Sequence, residues 1–153
     1  MIKVTTNRKE AEALFGRLES GVKGLDPIKQ SARYLRAQVA ESFDAQRDPY
    51  GNKWAPLKDS TLALRKRAGI QSTRILFMTG AMRRSLRVRD DTVEIRTPAE
   101  YHQEGAETRM FGKNPVQLPQ RKILPINDAG EAALPETWME HIVDIFVSYI
   151  RGL

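Results

Sequence analysis

Residues 26–57, DPIKQSARYLRAQVAESFDAQRDPYGNKWAPL, decide the fold. Asp26-Pro27 supplies a helix start: an acid able to cap the first turn, then a proline whose missing N–H costs nothing at the first helical position. Ile28, Ala32, Leu35, Val39 and Phe43 recur at steps of four and three, which lines them along one face, while Lys29, Arg33, Arg36 and Glu41 occupy the others. The spacing predicts a helix from 27 to about 46 with one buried side. Asp48-Pro49-Tyr50-Gly51-Asn52 is dense in turn formers, so the chain reverses there. The reversal carries Trp54 back toward the helix end near Phe43, and the indole, with Leu57, is expected to anchor the loop on the core.

Outward from this unit, residues 2–6 alternate apolar and polar and read as a short strand, and Asn7 can cap a helix carrying Leu14, Phe15, Leu18, Val22 and Leu25. On the other side, a short helix opens after Asp59 or Ser60, carries Leu62, Leu64, Arg65, Lys66 and Arg67, and stops at Gly69. Another starts near Thr79 and includes Met82, Arg83 and Arg84. Leu86, Val88, Val93 and Ile95 alternate with Arg87, Arg89, Glu94 and Arg96 across Asp90-Asp91, the pattern of a β-hairpin with its charged face outward. Residues 98–104 suit one or two helical turns ended by Gly105. From Ala106 to Pro119 no period is visible and a long exposed loop is expected. Lys122–Ile126 reads as an edge strand around Pro125. Trp138, Ile142, Ile145, Phe146 and Tyr149, widened by Met139, Val143 and Ile150, predict a terminal helix that is half buried or pressed against a neighbouring subunit. The whole is expected to be a single α+β domain over 1–153: a small antiparallel sheet with a β-hairpin, packed against the long helix and a C-terminal helix, plus the long exposed loop.

The 153 residues suit one domain with a core of its own, and the absence of cysteine excludes a disulfide scaffold, a thiol nucleophile and cysteine metal sites. With only His102 and His141, no histidine-rich metal site is expected, and no cofactor. No apolar run approaches the roughly 18 residues of a membrane span, and no signal core opens the chain, so a soluble, unprocessed protein without membrane contact is expected. Charge is unevenly placed. Residues 53–89 hold 10 basic and 1 acidic side chains, and residues 90–153 hold 6 basic and 11 acidic. A basic middle and an acidic end suit either a polyanion partner or head-to-tail contact between copies.

Catalytic constellations are not evident. His102 with Glu100 or Glu104 could be written as an acid–base pair, but no nucleophile or oxyanion donor accompanies it, and no phosphate loop or dinucleotide glycine pattern occurs. An enzyme acting on cell wall or nucleic acid therefore lacks a nameable catalytic set, and no enzyme is expected. Arg65, Lys66, Arg67, Arg83, Arg84 and Arg87 form a basic patch that could contact phosphates without reading sequence. It could equally pair with acids such as Asp128, Glu131 or Glu140 of a neighbouring copy.

Three pieces in order carry a resemblance. The first is Phe43, then Asp48-Pro49-x-Gly51-x-x-Trp54-x-Pro56-Leu57, with Thr61. The second is Ile75-Leu76-x-x-Thr79-Gly80-x-Met82-x-x-Ser85. The third is Ala99-x-x-His102-Gln103-x-Gly105, and after the loop Leu118-Pro119-x-Arg121. Together they resemble the phage virion morphogenesis family, the tail-completion proteins of Mu-like and related contractile-tailed phages. The resemblance marks Gly51, Trp54, Leu57, Thr61, Leu76, Thr79, Gly80, His102, Gln103, Gly105, Pro119 and Arg121 as motif or interface residues. Read from the residues alone, each motif serves the architecture of the fold or contacts a partner, architecture being favoured; for Arg121 the partner reading is a carboxylate across an interface. The resemblance implies a structural protein that closes the head-proximal end of the tail by forming a ring of about six copies. Its implied partners are itself, the tail terminator and tail tube, and head–neck proteins, with non-specific contact to packaged DNA. It would reside in the virion tail or neck and, during assembly, in host cytoplasm. The alternative is a small DNA-binding module using residues 53–89, without sequence specificity.

Overall fold

A computed structural model of the chain describes residues 16, 26–89, 92–96, 98–105, 107–108 and 116–152. The strand expected at 2–6 and, apart from Gly16, the helix expected after Asn7 lie outside them. Helix α1 (Asp26–Ala45) is the spine. Its apolar face is buried at Ala32, Val39 and Phe43, as the spacing requires, and Ser31 adds a bond from its hydroxyl to the Pro27 carbonyl at 2.8 Å. Gln46 ends the helix in the left-handed region at φ 58°.

The turn after α1 closes on Asp48, whose carboxylate accepts the N–H groups of Tyr50 and Asn52 at 2.9 and 2.8 Å, while Gly51 takes φ 88°. Trp54 is thereby returned to α1 and meets Phe43 edge-on, ring centres 5.5 Å apart. Helix α2 (Asp59–Arg67) and helix α3 (Ala81–Ser85) follow, then strands β1 (Arg87–Arg89) and β2 (Thr92–Glu94). The two strands pair antiparallel with Arg87 opposite Glu94, Val88 opposite Val93 and Arg89 opposite Thr92; Asp90 and Asp91 lie outside the described residues. Arg87 and Arg89 face solvent, and Leu86 is buried. Helix α4 (Ala99–Glu104) ends at Gly105, φ 72°. Helix α5 (Glu136–Arg151) closes the described chain, and both the hairpin and α5 pack on α1. The core is made of Val39, Phe43, Trp54, Leu76, Leu86, Ala99, Ile123 and Trp138. This is the α+β arrangement expected, with a small antiparallel hairpin and two principal helices.

Two expectations need correction. The stretch from 106 to 119 is not loop throughout: β3 (Glu107–Thr108) and β4 (Val116–Gln117) pair antiparallel, Glu107 opposite Gln117 and Thr108 opposite Val116, while 106 and 109–115 of the expected loop lie outside the described residues. Strands of two residues are too short to show alternation. Nor is 122–126 a strand; apart from a single bridge between Ile126 and Ala132 it pairs with no backbone among the described residues. A side chain takes the place of the missing strand. Gln103 accepts the N–H groups of Ile123 and Leu124 through Oε1 at 2.6 and 2.8 Å and donates Nε2 to the Leu124 carbonyl at 3.3 Å. The buried backbone is satisfied without a ladder, which is why no strand is needed there. Gln46 does the same for Ile75, accepting its N–H and donating to its carbonyl at 3.1 Å.

Candidate assembly interface

Residues of the first and third motifs converge on one knot that joins the middle of the chain to its last third. Trp54, 5% exposed, donates its indole N–H to the Lys122 carbonyl at 2.9 Å. Arg121, 4% exposed, reaches the other way: Nε donates to the Ala55 carbonyl at 3.0 Å and Nη2 to the Pro56 carbonyl at 3.3 Å. Residues 54–56 and 121–122 are therefore cross-tied by two side chains running in opposite directions. Of the two readings of Arg121, the geometry agrees with architecture and not with a carboxylate across an interface, because its guanidinium is spent on backbone carbonyls inside the fold. Leu57, Thr61 and Pro119 sit half-buried around this knot's sequence neighbourhood.

His102 belongs to the same knot. Its carbonyl accepts the Arg121 N–H at 2.7 Å, and its Nδ1 lies 3.4 Å from Arg121 Nη1. Burial, with the Arg121 charge adding to it, lowers the imidazole pKa to about 4. A guanidinium only donates, so Nδ1 is the acceptor and the ring is neutral with its proton on Nε2. The acid–base pairing with Glu100 or Glu104 is thus corrected: His102 is turned toward a cation, in a position that suppresses proton uptake near neutral pH. Gly105 allows the chain to pass Gln120, since a Cβ there would lie 2.9 Å from the Gln120 backbone nitrogen. Among the described residues no group of three His, Asp or Glu side chains could hold a metal ion.

The second motif shapes the turn into α3. Gly80 precedes that helix at φ 73°, its α-carbon face against the Phe77 ring and the Arg84 guanidinium. The Ala81 N–H reaches the Thr79 hydroxyl at 3.4 Å. Leu76 is buried with φ 55°, a left-handed conformation that costs a leucine roughly 1–2 kcal/mol. The Gln46 amide holds the neighbouring Ile75 on both backbone groups and so fixes the bend.

The basic segment divides. Arg65, 9% exposed, turns inward and donates Nη1 to the carbonyls of Ser72 and Arg74 at 2.8 and 2.9 Å. Its Nε has no partner, and burial lowers its pKa. Burial and then the Arg65 charge lower that of Arg121 as well, so the two cations share one interior neighbourhood. The expectation of a continuous exposed patch is corrected on this point. Arg83 is drawn to Asp44 at 2.8 Å, and Arg74 to the same carboxylate at 3.3 Å. Slight burial raises the Asp44 pKa, but the hydrogen bonds from Arg74 and Arg83 outweigh it and hold the carboxyl below its usual range. Lys66, Arg67, Arg84 and Arg87 remain on the surface. The acidic helix α5 presents Glu136, Glu140 and Asp144 to solvent, together with the apolar side chains of Met139, Val143 and Ile150.

The sequence model of the phage virion morphogenesis family matches residues 6–143, which takes in every motif of the knot. The chain belongs to the phage virion morphogenesis family. No curated protein and no solved structure matches it. As a member of the phage virion morphogenesis family it has a structural role in the assembly of a phage particle. No helix among the described residues is long and apolar enough to cross a membrane. Sequence reading missed Gln46, Asp44 and Tyr50, whose hydroxyl donates to the Ala133 carbonyl at 2.8 Å and ties the first turn to the approach of α5. A polar side chain that satisfies a distant backbone leaves no periodic trace.

Proposed function

We infer that this protein completes the head-proximal end of the tail as a closed ring of about six copies, and that the finished ring permits a filled head to join. The observation that carries the reading is the separation of charge and apolar surface on two different elements. Exposed cations lie on α2 and α3, and exposed acids with uncovered apolar side chains lie on α5. A ring needs such unlike, head-to-tail surfaces, whereas a two-fold dimer needs a self-complementary one. The mechanism is assembly rather than turnover, with tail terminator, tail tube and head–neck proteins as the further contacts. The DNA-binding alternative loses two of its cations, since Arg65 is buried and Arg83 is shared with Asp44.

Deletion of the gene in an inducible lysogen, followed by electron microscopy of the lysate, tests the reading. Filled heads lying apart from full-length tails are expected. Normal virions, or a block before heads and tails appear, would overturn it and bring the DNA-binding module forward.

A further inference from the structure

Helix α5 carries two apolar seams. Trp138, Ile142, Ile145 and Tyr149 form the inner one: Trp138 lies in the core, and Ile145 and Tyr149 line a groove with Gln30 of α1. Met139, Val143, Phe146 and Ile150 repeat the same steps of four, three and four one residue later, so they form a second seam turned about 100° from the first. Met139, Val143 and Ile150 on that outer seam are 47%, 50% and 51% exposed. Glu136 and Glu140, four residues apart and both exposed, run along its outer border, whereas Asp144 lines the inner groove with Ile145 and Tyr149. Such a surface fits an apolar strip bordered by cations.

Helix α2 offers that strip. Ser60, Ala63, Leu64 and Arg67, at the spacing of one helical face, are all exposed, and Leu64 at 60% is the most exposed large apolar side chain described. Lys66, also in solvent, is two residues from Leu64 and so lies on the opposite flank of the helix. The roll of α2 is fixed from the other side, where Arg65 is held by the carbonyls of Ser72 and Arg74, so Leu64 stays outward.

We propose that the outward face of α2 on one copy of the chain docks on the outer seam of α5 on the next, Leu64 against Met139 and Val143, with Arg67 along Glu136 and Glu140. The interface rests on the ring reading above and names its two halves. Pairing of α5 with itself is disfavoured, because it sets one row of acids against another. Because the two halves are different surfaces, every addition leaves one of each open until the ring closes. A nine-residue helix on a sixteen-residue one buries less than the roughly 800 Å² per partner of a stable pairwise interface. Open dimers should therefore be short-lived, and the closed ring, in which each copy is held twice, should be the persistent species.

The chain has no cysteine, so introduced thiols report on their own. Full-length Leu64→Cys and Val143→Cys chains are mixed and treated with a short bis-maleimide, and the untreated protein is sized by sedimentation velocity. The expected result is an oligomer, with a linked dimer of one chain of each kind at least tenfold above the yield from either variant alone. Charge reversal of Arg67 to glutamate should reduce oligomer at least tenfold, and reversal of Glu136 and Glu140 to lysine in the same chain should restore it. An oligomer without the 64–143 link, a Val143→Cys chain linked to itself, or a link within one chain of a doubly substituted protein overturns this interface and leaves the ring reading standing. A monomer at every concentration, with no ladder from the doubly substituted protein in purified particles, overturns both.

Discussion

Replacing Gln103 with methionine keeps the length and volume of the side chain and removes both of its polar ends. Three backbone groups lose their partner: the N–H of Ile123, the N–H of Leu124 and, at the longest distance, the carbonyl of Leu124. Ile123 is fully buried, so water cannot reach its N–H, and leaving it unmade costs about 2–3 kcal/mol. Leu124 is half-buried and adds about 1 kcal/mol. The expected loss is thus about 3–4 kcal/mol, or a fall of roughly 6–16 °C in Tm for a chain of this size. Urea unfolding followed by far-ultraviolet circular dichroism gives the magnitude, and hydrogen exchange gives the cause. Exchange of the Ile123 and Leu124 amides should accelerate beyond the general loss of protection. A loss below about 1 kcal/mol, or a large loss with those two amides protected in proportion to the rest, would refute the reasoning that a glutamine stands in for a strand.

Other measurements bear on the knot and the basic segment. Trp54→Phe should keep the contact with Phe43 but lose the bond to the Lys122 carbonyl, costing about 1 kcal/mol, against about 3–5 kcal/mol for Trp54→Ala; urea midpoints separate the two. The His102 pKa is depressed in the folded state, so its contribution is complete above the unfolded value of 6.5 and is lost as pH falls from there to about 4. Discounted for partial exposure of the ring, this amounts to ~2 kcal/mol, and His102→Gln should flatten the stability–pH curve in that window relative to the parent. Gly69→Ala should cost roughly 1–2 kcal/mol, because only its φ of 71° resists a side chain, whereas Gly105→Ala should cost clearly more, because its Cβ also meets the Gln120 backbone; thermal melts decide the order. Any salt-dependent binding to duplex DNA should keep its slope in Arg65→Ala and become shallower by about 0.9 in Lys66→Ala, and the reverse would place Arg65 on the surface.

The parts of this fold that are legible in the sequence are those set by repetition. Five apolar residues at steps of four and three place α1, and alternation across Asp90-Asp91 places the hairpin and its register. The tryptophan turn is legible because its residues have strong local preferences: Asp48 for capping N–H groups, Gly51 for positive φ. The site is less legible. Arg121 and Gln103 act on backbone atoms distant in sequence, and neither belongs to a period. In an Arg-Lys-Arg run the usual reading is a solvated cluster, which hides Arg65, although its position four residues after Thr61 and three after Leu62, both half-buried, does put it on the inner side of α2. The edge strand expected at 122–126 failed because apolar composition there reports burial, and burial was achieved with a side-chain amide.

The cross-tie between residues 54–56 and 121–122 has a consequence for the order of events during synthesis. Trp54 and Arg121 find their acceptors across 65 to 68 residues of chain, and Tyr50 finds Ala133 across 83. While the ribosome is still adding those later residues, at roughly 5–20 per second, α1 can already meet the hairpin, but the Trp54 indole and the Tyr50 hydroxyl lack their acceptors. Local pieces such as α2, secured by Arg65 within a few residues, can form early, but the knot is shut only by the last third of the chain. A nascent copy is therefore incomplete until residues 121–133 have left the ribosome, and a product terminated before them would present α2 with no finished body behind it.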